Sequence, residues 1–260
     1  MNFEIIDFHT HPFMLREQNI CNHIDFCNMS PDSTLSVFRE LKISTICGSV
    51  VCFKNQMFPT LWEKVRCNND TAMELKQRYG DFYIPGFHIH PGYVEESLAE
   101  IRSMHEKGVH LIGELVPYID GWTDDCLDNL SVLLKEAAKY NMVVSFHTGG
   151  HDFLDAMAER HRDIAIVAAH PGECDSVLRH IARMKKYDNC YLDLSGTGLF
   201  RYGTLRRLID EVGADRILFG SDYPTCNPAM FIGGVMLDPL IRDSEKEKIF
   251  SLNAKKLLSL

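Results

Sequence analysis

The sequence predicts an α/β fold, a (β/α)8 TIM barrel with its functional groups at the C-terminal mouth of the strands. Three observations predict it. Short apolar, β-branched runs alternate with amphipathic stretches along the chain, which implies a parallel sheet with helical crossovers. Eight such repeats in 260 residues suit closure into a barrel. No G-x-G-x-x-G follows the first apolar run, as an open doubly wound sheet would ask. No Pro-, Gly- or Ser-rich linker divides the chain, so residues 1–260 read as a single domain.

The expected strands are Glu4–His9, Ser44–Val51, Tyr83–His88, Val109–Val116, Met142–His147, Ile164–His170, Cys190–Ser195 and Arg216–Ser221. Helical patterns follow them at residues 35–42, 71–79, 95–108, 130–141, 153–162, 176–187 and 204–213. Leu130, Leu133, Leu134 and Ala137 show the spacing of a buried helix face. Gly108 and Gly213 are expected to take the left-handed cap conformation, and Ser244 to cap a last helix at 245–258. Three long connections, Pro12–Ser33, Cys52–Asn69 and Tyr223–Asp243, follow the first, second and eighth strands. They read as irregular loops that cover the barrel mouth or shape a pocket there, with Trp62 among their residues.

The net charge of −9 argues against a nucleic-acid partner, which needs a basic face. Nine cysteines without a C-x-x-C pair exclude a zinc knuckle and suit free thiols in a reducing cytoplasm. The N-terminal residues do not read as a signal peptide, and no apolar run is long enough for a membrane span. The expected partner is a small-molecule substrate; the sequence assigns no oligomeric state.

The chemistry gathers at strand ends. Asp7-Phe-His9-Thr-His11 ends the first strand, and alternation puts His9 and His11 on one face, toward the axis. Glu114 sits on the fourth strand, His147 ends the fifth, His170 the sixth, and Asp222 follows the eighth. Imidazole and carboxylate are ligands that zinc, manganese, iron and nickel accept. Singly, each has a plainer reading: a hydrogen-bonded strand-end histidine, an Asp222 that caps a turn, a Glu114 paired with Lys or Arg. Their order along an eightfold pattern is what carries the metal reading.

That order, His9-x-His11, His147, His170, Asp222, resembles the amidohydrolase superfamily. The wording IIDFHTHP, VVSFHTGG, IVAAHPG, ILFGSDYP and FSLNAKKLL is similar to its amidohydrolase-2 branch. The resemblance implies a metal-dependent hydrolase in which one or two divalent ions, zinc foremost, activate water against an ester, lactone, amide or phosphoester bond. Asp222 is then the general base. With two ions, His9, His11 and Asp222 hold one, His147 and His170 the other, and Glu114 bridges. With one ion, His9, His11, His147 and Asp222 bind it and His170 polarises the substrate.

Strand four has no lysine to carboxylate. Glu114 there, and the turn in GFHIHPG, resemble the TatD-like branch, which implies nuclease activity as one alternative. The other is a mononuclear decarboxylase of the amidohydrolase-2 kind, with Arg16 or Arg201 as candidates to hold a substrate carboxylate. His88 and His90 are expected to line the pocket or support its ligands, and His105, His161 and His180 to lie on the surface. His23 and His151 stay unassigned in or beside mouth loops.

Overall fold

The computed structural model describes residues 3–21, 29–122 and 126–260. Eight parallel strands run in chain order: β1 Ile6–Asp7, β2 Thr45–Ser49, β3 Tyr83–Phe87, β4 Leu111–Leu115, β5 Val143–His147, β6 Ala165–Ala169, β7 Cys190–Asp193 and β8 Ile217–Leu218. All eight expected strands are present, with shorter ends. The sheet closes between its first and last strands. Phe8 N donates to Phe219 O at 2.9 Å, His11 N to Tyr223 O at 2.7 Å and Asp222 N to His9 O at 2.9 Å. A parallel bridge joins Thr10 to Tyr223. The fold is the expected TIM barrel.

The helices are α1 Pro31–Glu40, α2 Leu61–Tyr79, α3 Val94–Glu106, α4 Pro117–Asp120, α5 Cys126–Ala138, α6 His151–Arg160, α7 Cys174–Lys186, α8 Thr204–Val212, α9 Pro228–Met236, α10 Asp243–Glu247 and α11 Asn253–Leu258. Their apolar faces meet the outer strand faces in one continuous core that includes Leu130, Leu133, Leu134 and Ala137. The inner barrel is filled by Ile6, Phe8, Cys47, Leu111, Val143, Val167 and Leu218. Among the described residues no helix is long and apolar enough to cross a membrane.

Two of the expected long loops are shorter than the sequence suggested. Helix α2 begins at Leu61, ten residues before the expected 71, so Trp62 is helical and Cys67 lies within the helix. The missed signal is Thr60-Leu-Trp-Glu63: Thr60 Oγ1 accepts from Glu63 N at 3.1 Å and donates to Glu63 Oε2, a capping arrangement. The connection after β8 contains α9, capped by Asn227 and led by Pro228. Part of the first connection, with His23 and Cys27, lies outside the described residues.

Gly108 and Gly213 do take positive φ, but Gly213 has ψ 170°, so it reverses the chain without a left-handed cap. Helix α10 starts at Asp243 with Arg242, not Ser244, at its cap, because Glu245 accepts from Arg242 N at 2.9 Å. The closing segment passes through a wider turn at Lys248–Leu252. There Ile249 O accepts from Phe219 N at 2.9 Å, and Asn253 Nδ2 donates to both Ala214 O and Ile217 O at 2.7 Å. Buried Asn253 thus fastens the closing helix to the start of β8, the strand that delivers Asp222. In Asn253→Leu two buried carbonyls lose a donor. We expect a stability loss of about 2–3 kcal/mol in urea titration, with an unchanged far-ultraviolet dichroism spectrum at low urea.

Candidate metal centre

Beyond β1, His9 and His11 are both buried in the barrel mouth and share one side, as their two-residue spacing predicts. Each is held by its Nδ1. His9 Nδ1 lies 2.9 Å from Asp193 Oδ2, and His11 Nδ1 lies 2.9 Å from Ser49 O. Both partners are acceptors, so the neutral ring carries its proton on Nδ1 and presents a bare lone pair at Nε2. The two Nε2 atoms are 3.1 Å apart. Glu114 Oε2 lies 3.5 Å from His9 Nε2 and 3.4 Å from His11 Nε2. Asp222 Oδ1 lies 3.7 Å and 3.5 Å from the same atoms.

Four lone-pair donors converge here in a buried place, which costs free energy unless positive charge joins them. Ligands at 2.0–2.2 Å round a tetrahedral ion lie about 3.3–3.6 Å from one another. The observed spacings bracket that range, so this donor set fits a divalent metal. His9, His11 and Asp222 form one three-residue group with metal-binding spacing, and His9, Glu114 and His170 form another.

Glu114 reaches the centre because β4 is irregular. Its register to β5 shifts between Ile112 and Leu115, the kind of bulge that re-aims a side chain. Gly113 permits it: φ is +92°, and a Cβ there would meet Ser145 O at 2.4 Å. The Lys or Arg partner that was the plain alternative for Glu114 is replaced by four histidines. Oε2 faces His9 and His11, while Oε1 lies 2.9 Å from His147 Nδ1 and 3.4 Å from His170 Nε2.

His147 is therefore at the site but contacts the four-donor cluster only through Glu114. His170 is tied in from the other side. Ser195 Oγ donates to Asp193 Oδ1, so His170 Nδ1, 2.9 Å from Ser195 Oγ, donates to Ser195. Both His170 and Asp222 take left-handed backbone angles, with φ 70° and 63°. Such angles for residues other than glycine gather at functional sites.

Two residues that the sequence reading left without a role organise this arrangement. Fully buried Asp193, at the end of β7, accepts from His9 with one oxygen and from Ser195 N and Oγ with the other. Asp7 Oδ1 accepts from Ser221 N at 2.9 Å and His9 N at 3.3 Å, tying the β1 end to the β8 end. Burial pushes the Asp7 carboxyl up to about 7 against these hydrogen bonds. The available signal was an aspartate inside each of two apolar strands, Ile-Ile-Asp7-Phe and Tyr-Leu-Asp193-Leu.

The electrostatics follow from burial and crowding. Burial opposes charge on His9, yet Asp193 and Glu114 outweigh it and hold its pKa well above the ordinary imidazole value. Burial likewise opposes charge on His11, but Asp222 and Glu114 bring it to about 9. Burial also works against the His170 cation, and Glu114 raises its pKa. Burial would neutralise Glu114, but His9, His11, His147 and His170 hold its carboxyl well below the usual range. In the metal-free protein, protons thus supply the positive charge that the donors call for.

A cavity of about 160 Å³ lies against the cluster, lined by His11, Glu114, His147, His170 and Asp222 and by Ile20, Val51, Phe53, Val116 and Ile119. His88 and His90 do not line it. His88 Nε2 donates to Val50 O at 2.8 Å, and His90 Nε2 to Asp120 O at 2.8 Å, so they brace the loops that form its walls. Arg16 and Arg201 are not on its lining either; Arg201 pairs with Glu173 at the surface. His161 and His180 are buried rather than superficial, because Ser131 and Arg183 supply polar partners inside the helix layer. His105 is partly buried and stacks on Tyr140 at 4.3 Å. His151 opens α6, with Nε2 3.1 Å from Ser176 Oγ.

The family model described as "Amidohydrolase" matches residues 49–260. The chain belongs to the amidohydrolase family. Solved structures of similar fold include a 2,6-dihydroxybenzoate decarboxylase from Rhizobium, with a TM-score of 0.74, 19% identity and 99% of each chain covered. A 5-carboxyvanillate decarboxylase from Sphingomonas paucimobilis aligns over 100% of both chains at 13% identity and a TM-score of 0.73. A dihydroxybenzoic acid decarboxylase from Polaromonas, solved with manganese and 2-nitroresorcinol, covers 100% of this chain and 98% of its own at 17% identity and a TM-score of 0.70. No curated protein matches the chain.

The raised His11 pKa implies a pH signature in the metal-free protein. A histidine raised from 6.5 to about 9 contributes stability that is complete below pH 6.5 and lost as pH rises through 9. We expect the melting temperature of chelator-treated protein to fall across that window, and the metal-loaded protein to stay flat. A falling curve in both forms would contradict the assignment. Asp193→Ala frees the His9 ring, and we expect about 10–100-fold weaker metal affinity by competition with a chromophoric chelator.

Proposed function

We propose that the chain is a metal-dependent decarboxylase of a small aromatic acid, and that residues 1–260 act as one domain. The observation that carries the reading is the cavity against the cluster. Its 160 Å³ is ring-sized, since a cavity of about 150 Å³ takes benzene. Among the described residues no Lys or Arg lines it, and most of its wall away from the cluster is apolar. A substrate carboxylate there has the cluster on one side and few hydrogen-bond donors elsewhere. Poor solvation of that carboxylate favours loss of carbon dioxide, which disperses its charge. The likeness to decarboxylases of dihydroxybenzoate and carboxyvanillate supports the same reading over hydrolysis.

In this reading His9, His11 and Asp222 hold one divalent ion, zinc or manganese, with His147 and Glu114 beside them. The ion, when bound, supplies positive charge to a carboxylate or phenolate oxygen of the acid. The bond between ring and carboxyl carbon breaks, its electron pair stays on the ring carbon, and a proton must arrive there as carbon dioxide leaves. Asp222 lines the cavity and is assigned the relay of that proton, taken up from solvent, to the ring carbon. His170, beside Glu114 and oriented by Ser195, polarises the substrate.

Two-ion hydrolysis is the second reading. Glu114 favours it, because each of its oxygens serves a different pair of histidines, as a bridging carboxylate would.

Metal-reconstituted protein is expected to release carbon dioxide from hydroxybenzoates, followed by loss of the carboxyl carbon signal in carbon NMR. Chelation should abolish turnover and zinc or manganese restore it, and Asp222→Asn should lower kcat at least about 100-fold. Two ions per chain by elemental analysis, with turnover of esters or lactones and none of aromatic acids, would overturn the decarboxylase in favour of hydrolysis.

A further inference from the structure

The ring-sized cavity is not the only hollow at the mouth. A second one, of about 510 Å³, shares Tyr118 and His147 with it as a common wall. It lies between the α4–α5 segment and the start of α6. Its walls are Trp122, Leu127, Leu130, Phe153 and Ala156, so the interior is apolar. α5 packs on α3 and α6 on α7, while α5 meets α6 at the α6 end through Ser131 and His161, so the hollow opens at the start of α6.

The partition between the two hollows is thin and aromatic. Tyr118 stands edge-on to His147 with ring centres 5.4 Å apart, and Tyr118 is itself 67% exposed. Gly149 and Gly150 follow His147 and keep the floor low; a Cβ at Gly149 would sit 3.9 Å from the His147 ring. At the solvent end the lining turns polar, where Asp152 pairs with Arg179 at 2.6 Å. An apolar interior of this volume, with a polar rim and a reactive group at its inner end, has the size and lining of a ligand site.

We propose that this second hollow receives an apolar substituent, an aryl ring or a short alkyl chain, carried by the acid whose reacting ring occupies the smaller cavity. The inference rests on the decarboxylase reading for the identity of the acid. The substrate class then narrows to aromatic acids with a bulky apolar extension, because a one-ring acid would leave the larger hollow to water. Tyr118 and His147 touch, so the two halves of the substrate would join over the exposed edge of that pair, which would select where the extension is attached.

The test is a binding comparison on metal-loaded protein by calorimetry, which does not require turnover. The probes are salicylate and phenylsalicylates with the second ring meta or para to the carboxyl. At least one phenylsalicylate is expected to bind about 10–100-fold tighter than salicylate. Ala156→Phe fills the larger hollow from α6 and is expected to remove that gain while leaving salicylate affinity within about twofold. Leu127→Trp fills it from the opposite wall and serves if the first variant does not fold.

Equal affinity for all probes overturns the proposal, as does a gain that survives both filled variants. Equal loss for salicylate and the phenylsalicylates also overturns it. A gain without any carbon dioxide release keeps this pocket and removes only the decarboxylase reading. Release from one-ring acids without a gain does the reverse.

Discussion

The arrangement of the barrel mouth depends on one electrostatic constraint. Four lone-pair donors, His9 Nε2, His11 Nε2, Glu114 Oε2 and Asp222 Oδ1, are gathered in a buried place where they cannot be left facing one another. Positive charge must join them, as protons or as a metal ion. The two carriers compete for the same lone pairs, so metal uptake and proton release are one equilibrium. The high His9 and His11 pKa values and the low Glu114 value are the metal-free face of that equilibrium.

The surrounding structure serves to aim those lone pairs. Asp193 and the Ser49 carbonyl hold the Nδ1 atoms, which turns both Nε2 atoms inward. Asp193 also accepts from Ser195, which orients His170, so one buried carboxylate sets the direction of two neighbouring rings. Asp7 ties β1 to β8 beneath the cluster. Asn253 anchors β8 from the outside. Barrel closure and site geometry are therefore the same set of bonds, because His9, His11 and Asp222 all stand on the seam between the first and last strands.

The outer walls set what the cavity can hold. Val51, Phe53, Val116 and Ile119 make the ring-sized cavity apolar on the side away from the cluster. The loops that carry them are cross-braced by buried Lys64, which donates to Asn55 after β2 and to Ile119 and Asp120 after β4. His88 and His90 add backbone contacts to the same two loops.

Much of this was legible in the sequence, for a definite reason. The alternation of apolar strands with helical patterns is local, and so is the two-residue spacing that puts His9 and His11 on one face. Strand ends map to the barrel mouth once the fold class is known, so the sequence alone places Glu114, His147, His170 and Asp222 there. Other features depend on distance in sequence.

Nothing near Asp193 reveals that it meets His9, 184 residues away. His161 and His180 looked superficial because their partners lie on other helices. Arg16 and Arg201 looked available to a carboxylate, yet neither lines the cavity. By itself the sequence determined which groups could meet a metal, because strand periodicity is carried by neighbouring residues. Only the tertiary structure decided which lone pairs face one another and what walls surround them, because hydrogen-bond partners and cavity linings come from segments far apart along the chain.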